Sequence, residues 1–244
     1  MATRKLKDEV EERYFSKEAA PAVEDEGMRE MHPLQPFIIS GGKNTERYYF
    51  QYVSEVTQYK FNVEPKYFGN ESQYTEVFPQ RIERIIKKNS GAKVFCVFDW
   101  DTVYGNSQRE ANHKRFMNQI DEYLKDGSVV LCPSMPSIEY WFLLHFEDCD
   151  VFLKKWGDIS NKLAPHIRSC FAYLPPDGIK FKDLLKREEY VGDRRWVKEL
   201  CKDGKLELAI SRAESGCQAH LREPESELSY TYVYLIFKKY PLPE

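Results

Sequence analysis

Short continuous apolar runs alternate along this chain with longer stretches in which apolar residues recur at helical intervals. Phe37-Ile38-Ile39 ends at Gly41-Gly42, and Val94–Phe98 runs directly into Asp99-Trp100-Asp101. Val129–Cys132 is a third run of the same kind. Uninterrupted apolar runs of this length predict strands covered on both faces, as in a parallel sheet.

The stretches between these runs predict helices at about residues 46–57, 72–89, 108–125 and 138–146. Thr45 and Ser137 have the residue types that cap helices at their first turn, so we expect each to cap the helix that follows it. Phe61–Phe68 predicts a further strand, and Pro65 favours an edge position or a bend for it.

Strand and helix alternate four times, which predicts an α/β fold: a mostly parallel, Rossmann-like sheet with helices on both faces. We expect a charged N-terminal arm at 1–35, an α/β core at 36–148 and a mainly helical C-terminal region at 149–244, with a turn at Pro175–Gly178. The secondary structure of Leu228–Tyr240 is left undecided, because its β-branched and aromatic residues favour a strand and its position favours a closing helix.

Composition limits the classes of partner. The chain of 244 residues is 42% hydrophobic, and its 36 basic and 39 acidic residues leave a formal net charge of -3. Non-specific coating of nucleic acid requires a basic protein, so any such contact must be local, selective or metal-assisted. The six cysteines form no CxxC pair, and no signal-like or membrane-spanning run occurs. We therefore expect a cytoplasmic protein with free thiols and no membrane partner.

Asp99 and Asp101 are the first candidates for chemistry. In a parallel α/β sheet, ligands bind outside the carboxyl ends of the strands, where this Asp-x-Asp pair is predicted to lie. Alternate strand residues point the same way, so both carboxylates could face one ion if the strand persists to Asp101. Oxygen ligands suit Mg²⁺ or Mn²⁺. The residues alone favour the alternative, a strand-end turn with helix-capping duties, because Asp-x-Asp is a common pattern.

Glu139 and His145 belong to the aromatic-rich helix predicted at 138–146. A carboxylate beside such an apolar face needs a partner, so Glu139 is either a second acidic contribution to the metal region or a group that serves the helix dipole. His145 lies among apolar neighbours, and a histidine in that setting is more often a satisfied core residue than a base or a ligand.

Three ordered motifs carry a family resemblance. Phe37–Phe50 is similar to the strand and EGxxTE-x-x-YF pattern that opens the RloB-like family, and Val97–Asp101 resembles its VFDxD strand. Ser134–Glu147 resembles its PxxEYWLLLHFE stretch, and Ser211-Arg212-Ala213 and Ser229-Tyr230-Thr231 resemble weaker C-terminal blocks. The resemblance covers about Pro36 to Tyr240. This family is regarded as Toprim-like and is associated with bacterial phage defence, including abortive infection and restriction-linked operons.

The resemblance implies a Toprim-like core with a Mg²⁺- or Mn²⁺-dependent nuclease site, and it reverses the preference for a simple turn at the Asp pair. Nucleic acid, RNA or DNA, is then the expected partner, and a second copy of the chain or a protein of a defence operon are further candidates. In the implied site, Asp99 and Asp101 are the metal ligands. The implied catalytic carboxylates are these two together with Glu139 and Glu46, and the implied substrate-binding residues are Lys43 and His145.

Gly41 departs from the family pattern. The resemblance places a glutamate here, which would serve as general acid or base or complete the metal site, and glycine can do neither. Three explanations stay open: Glu46 or Glu139 substitutes, the protein carries an inactivating change, or it is a natural member with weak or no nuclease activity. A poor catalyst is the expectation unless another carboxylate reaches the Asp pair.

Two other functions are compatible with the same residues. One is a non-catalytic binding or sensor module that recognises a nucleotide, a nucleic acid or a phage protein. The other is a generic nucleotide-binding α/β protein, although Gly41–Thr45 lacks the spacing of a phosphate-binding loop.

Overall fold

Five strands form one sheet in the order β2-β1-β3-β4-β5, in a computed structural model that describes residues 35–42, 44–64, 74–171, 181–222 and 228–239. The four strands β1 to β4 are parallel, and β5 pairs antiparallel with β4. This confirms the predicted α/β class with a mostly parallel sheet. The strands are β1 at Phe37–Ser40, β2 at Asn62–Glu64, β3 at Val94–Asp99, β4 at Val129–Met135 and β5 at Tyr230–Thr231.

The α-helices of the first part of the chain are α1 at Thr45–Val56, α2 at Tyr74–Lys88, α3 at Ser107–Gln119, α4 at Asp121–Lys125 and α5 at Glu139–Leu144. Those of the C-terminal part are α6 at Trp156–Ile167, α7 at Phe181–Leu184, α8 at Glu188–Val191, α9 at Arg195–Cys201, α10 at Lys205–Arg222 and α11 at Tyr234–Lys238. The side chains of residues 182 and 183 are outside the description.

Strands β1 and β3 are buried on both faces, since successive residues of a strand point to opposite sides and both sets are buried up to Phe98. Ile38, Phe95 and Val97 belong to one core cluster, which includes α1, α5 and much of the C-terminal part. Ile39 and Cys96 belong to the other, which includes residues of α2 and α3. The apolar runs read from the sequence are therefore strands covered on both faces, as predicted.

Several local predictions need correction. The strand at Val94 ends at Asp99, and Trp100–Thr102 form a 3-10 turn, so strand alternation does not reach Asp101. The helix predicted at 108–125 is divided at Ile120 into α3 and α4. The fourth strand continues past Cys132 to Met135, because Pro133 still accepts a bond at its carbonyl from Tyr232.

The two expected caps are also different. Thr45 is the first helical residue of α1, and its hydroxyl donates to the carbonyl of Leu185 instead of capping. Ser137 donates its hydroxyl to the Glu139 carboxylate, and α5 has no side-chain cap. In both cases the hydroxyl donates to another group, a distant carbonyl or a nearby carboxylate, and does not cap the backbone N–H groups at the start of the helix.

The C-terminal segment left open at Leu228–Tyr240 contains both alternatives. Tyr230–Thr231 is the short strand β5, and Tyr234–Lys238 is the helix α11. The hydroxyl of Ser229 accepts from the backbone N–H of Leu153, and that of Thr231 bonds to Ser134. These bonds fasten the end of the chain to β4 and to the loop before α6.

All six cysteines lie in described residues and are free thiols. No helix in the described part of the chain has the length and apolar character to cross a membrane. The N-terminal arm up to residue 34 and the turn predicted at Pro175–Gly178 lie outside the described residues.

Candidate functional site

The sheet order places a crevice between β1 and β3. From β1 the chain moves to β2 on one side and then to β3 on the other, so the strand order reverses between β1 and β3. Open α/β sheets bind ligands at such a switch point, outside the carboxyl ends of the strands. Gly41 follows β1 and donates its N–H to Val97, while Asp99 is the last residue of β3.

Asp99 is held in place by the turn before α5. Its Oδ1 accepts a hydrogen bond of 2.9 Å from the backbone N–H of Ile138. Desolvation raises the pKa of Asp99 well above its ordinary value, and the charges of Glu46, Glu139 and Asp101 raise it further. Four carboxylates are therefore close enough at this edge of the sheet to repel one another.

Asp101 enters the site from the 3-10 turn rather than from the strand. Its backbone N–H donates to the carbonyl of Pro136 at 3.1 Å, and its side chain is exposed. Partial desolvation raises the pKa of its carboxyl group, and the charge of Glu139 adds to the effect. The pair is thus brought together, by a turn that sequence alternation did not predict.

Glu46 lies in the first turn of α1 and is 5% exposed. Burial raises its pKa from 4.5 to about 7, although hydrogen bonds from the backbone N–H groups of Glu46 and Gly42 lower it and the charge of Glu139 raises it. Its carboxylate covers Gly42 so closely that a Cβ there would be 1.8 Å from Oε2. Glycine at 42 is what lets this carboxylate enter the crevice.

Glu139 begins α5 and is 4% exposed, with Trp141 and Leu144 buried beside it as predicted. Its Oε2 accepts the Ser137 hydroxyl at 2.5 Å. Because its charge raises the pKa of Glu46, Asp99 and Asp101, Glu139 faces the carboxylate group from the α5 side.

Two cations from the described ranges act on these carboxylates. Lys186, in the segment after α7, lowers the pKa values of Glu46 and Asp101, and Arg109 lowers that of Asp101. The carbonyl of Lys186 accepts from Asn44 at 2.8 Å, so its segment is fastened to the start of α1. Sequence reasoning missed Lys186, because no local pattern links it to a motif some 140 residues earlier.

A cavity of about 250 Å³ opens beside the carboxylates on the α2 side. Arg109 lies on its wall and donates to the carbonyl of Thr102 at 2.9 Å. Its lining combines carboxylate, aromatic and basic groups: Gly41, Gly42, Glu46, Tyr74, Thr75, Phe98, Asp99, Thr102, Val103 and Arg109.

The remaining predicted residues have different outcomes. Lys43 lies outside the described residues. Gly41 has no left-handed φ, and a Cβ there would meet its neighbours at 3.8 Å or more, so the backbone admits a side chain.

His145 is 1% exposed and bonds to the carbonyl of Trp141, with Tyr49 at 3.5 Å. Burial lowers the pKa of His145 to about 3. The structure does not bring His145 to the carboxylates.

The donor set fits a hydrated divalent cation. Mutual repulsion and desolvation raise three of the carboxyl pKa values, and a bound cation would relieve both. Within the described ranges, no three His, Cys, Asp or Glu side chains are already arranged around a metal position. Mg²⁺ commonly keeps several waters and takes only one or two protein carboxylates, so Asp99 and Asp101 with water suit it better than a complete protein cage.

Comparison with known proteins gives one match. No curated protein and no solved structure matches the chain. The model of the RloB-like protein family matches residues 37–239, which include β1, the Asp99 strand end and the carboxylate of Glu139. Since the match extends over most of the chain, from the first strand to the last helix, the protein belongs to the RloB-like family.

Proposed function

We propose that this protein is a magnesium-dependent nuclease of the Toprim type, which hydrolyses phosphodiester bonds in the cytoplasm as part of bacterial anti-phage defence. The observation that carries the proposal is the convergence of Glu46, Asp99, Asp101 and Glu139 at the switch point of the sheet. Nucleic acid is the proposed substrate, and a defence-operon protein or a second copy of the chain is the proposed protein partner.

Asp99 and Asp101 would hold the cation, with Glu139 next to them. When bound, Mg²⁺ would polarise the scissile phosphate and neutralise the charge that develops on it. The net charge of -3 gives no general attraction for nucleic acid, so phosphate binding depends on the local cations Lys186 and Arg109.

Glu46 is the proposed general acid or base. Its position in the first turn of α1 brings a carboxylate into the crevice close to the departed family position at Gly41. A pKa of about 7 in the metal-free protein suits proton transfer near neutral pH. This is the substitute-carboxylate explanation, and it makes an active enzyme compatible with glycine at 41.

The test is cleavage of labelled RNA and DNA with Mg²⁺, with Mn²⁺ and with chelator. Asp99→Asn keeps an acceptor for Ile138 but removes the charge, so we expect at least a ~10²-fold loss of cleavage and loss of Mn²⁺ binding in relaxation measurements. Asp121→Asn is the matched control, because Asp121 forms an exposed pair with Lys125 on α4. Equal cleavage by both variants would remove the metal site from the mechanism.

A non-catalytic binding or sensor module is the second candidate. The absence of a side chain at Gly41 favours it, because the family glutamate is missing from an otherwise retained group of carboxylates. If the unaltered protein does not cleave but Gly41→Glu does, this candidate is correct for the natural chain. If the unaltered protein cleaves and Gly41→Glu adds nothing, Glu46 serves in its place.

A further inference from the structure

The lining of the cavity beside the carboxylates has two chemically different parts. Glu46 and Asp99 are its carboxylates. Its aromatic part is Tyr74 and Phe98, which stack with ring centroids 4.4 Å apart and planes 19° apart. A ligand that fills this space must have a flat or apolar part and must end close to the carboxylates.

Tyr74 is held rigidly in the cavity wall. Its hydroxyl bonds to Nδ1 of His113 at 2.8 Å, and the ring of His113 packs edge-on against Trp100 at 4.8 Å. The aromatic wall is therefore fixed before any ligand arrives, which lowers the entropy lost on binding.

Thr75 supplies an unused polar group in the same wall. It is 9% exposed, and its Oγ1 has no hydrogen-bond partner in the described structure. Thr75 lies in the first turn of α2, and threonine in a helix populates two χ1 rotamers. Rotation about χ1 exchanges its methyl and hydroxyl groups, so the hydroxyl can turn towards a ligand that offers a hydrogen-bonding partner.

Arg109 adds a positive charge to the lining. It lies on the cavity wall, and its positive charge lowers the pKa of Asp101. One of its N–H groups donates to Thr102, and a guanidinium has further donors that suit a phosphate. A phosphate bound by Arg109 would therefore have its neighbouring nucleoside within reach of this cavity.

We propose that this cavity receives one unpaired nucleoside of the substrate, next to the phosphate at the carboxylate group, so that the strand acted on is single-stranded at that point. This inference rests on the proposed nuclease function. The cavity of about 250 Å³ is slightly below the range of about 300–1,000 Å³ typical of drug-sized ligands, so it suits one nucleoside and no longer piece of the strand. A base in a duplex is paired and stacked, and it cannot enter without being flipped out.

The test measures binding to a single-stranded RNA of about 16 nucleotides, a DNA of the same length and the corresponding duplexes, all with nuclease-resistant phosphorothioate linkages, in Mg²⁺. Saturation-transfer NMR with adenosine and deoxyadenosine, without metal, isolates the cavity from the phosphate site. We expect single strands to bind about tenfold or more tightly than duplexes, and Thr75→Val to weaken single-strand and nucleoside binding by about tenfold. The ribose and deoxyribose arms distinguish RNA from DNA.

Three further variants make the result specific. Thr75→Ser keeps the hydroxyl and should retain binding, and Gly41→Leu should fill the cavity and abolish nucleoside binding. Thr57→Val is the matched control, because Thr57 follows the far end of α1 and donates to Val53. Melting temperatures establish that each variant is folded.

The outcomes separate this inference from the proposed function. Metal-dependent cleavage with equal binding of single strands and duplexes, or with no effect of Thr75→Val, overturns the nucleoside site and leaves the nuclease in place. Single-strand binding that depends on Thr75 without any cleavage supports the nucleoside site and removes the nuclease.

Discussion

At the scale of single residues, the site is defined by carboxylates that the fold holds against their mutual repulsion. Glu46 has its pKa raised from 4.5 to about 7, first by burial. Between these values the folded protein binds a proton that the unfolded chain releases, so the free energy of unfolding falls as the pH rises from about 4.5 to about 7. Above that range the ionised group destabilises the metal-free protein.

Glu46→Gln should therefore stabilise the metal-free protein at high pH. We expect a rise in Tm of about 5 °C at pH 8 and a much smaller rise at pH 5, measured by calorimetry with chelator present. Glu55→Gln on the same helix is the control, because Glu55 makes only a partly exposed pair with Arg194 at 3.8 Å. An equal rise at both pH values would mean that the charge of Glu46 is not the cause.

The two adjacent glycines should respond differently to a methyl group. Gly42→Ala would push the Glu46 carboxylate out of the crevice, since the new Cβ meets it at 1.8 Å, whereas Gly41→Ala meets only ordinary contacts. We expect Gly42→Ala to remain folded and to lose about 10²–10⁴ in Mg²⁺-dependent cleavage, as Glu46→Gln does. Gly41→Ala should stay within about twofold of the unaltered rate. Similar rates for both variants would contradict the assigned position of Glu46.

At the scale of elements, α5 connects the site to the core. Glu139 faces the carboxylates at its start, while Trp141 is 0% exposed and donates its indole N–H to the Tyr49 hydroxyl at 2.7 Å. Tyr49 in turn lies 3.5 Å from His145. The aromatic residues of this helix are buried, as predicted, and their packing positions Glu139 in its first turn.

Trp141→Ala should destabilise the protein by about 3–5 kcal/mol through the cavity it leaves. Trp141→Phe keeps most of the volume and loses the bond to Tyr49, so we expect a loss of about 1–3 kcal/mol. Urea denaturation measures both. Equal losses from the two variants would show that the indole bond, which both of them remove, holds this helix rather than packing.

The elements also show how far the sequence could predict this fold. Continuous apolar runs located β1, β3 and β4, because most residues of a strand covered on both faces are apolar. The residues alone favoured a strand-end turn at the Asp pair, and the structure has one at Trp100–Thr102, but Asp99 caps nothing there. The bond from the Asp101 N–H to the carbonyl of Pro136 could not be predicted, since it depends on a loop after the next strand. The cap expected at Thr45 failed for the same reason, as its partner Leu185 lies 140 positions away.

At the scale of the whole molecule, the C-terminal part completes both the sheet and the site. Arg212 on α10 donates to the carbonyl of Leu144 at the end of α5, with an N···O distance of 2.7 Å. This gives a physical role to the weak Ser211-Arg212-Ala213 block of the sequence. The sequence predicted helices here, but not that their side chains would complete elements of the α/β core.

Arg212→Met should separate the charge-assisted bond from packing, because methionine retains an apolar stem. We expect a loss of about 1–3 kcal/mol in the free energy of unfolding by urea, from the unsatisfied carbonyl of Leu144. Hydrogen exchange should increase at the C-terminal end of α5. Arg222→Met, at the exposed end of α10, is the control and should change stability by less than about 0.5 kcal/mol.

The bonds from Asn44 and Thr45 to the carbonyls of Lys186 and Leu185 also bear on when the site forms during synthesis. A nascent chain that has produced every carboxylate of the site still lacks the partners that fix the start of α1. Such distant contacts form late in folding, because the loop between them must close first. An unfinished chain on the ribosome therefore has the acidic residues without their assembled geometry, so the proposed nuclease activity would arise only when translation is nearly complete.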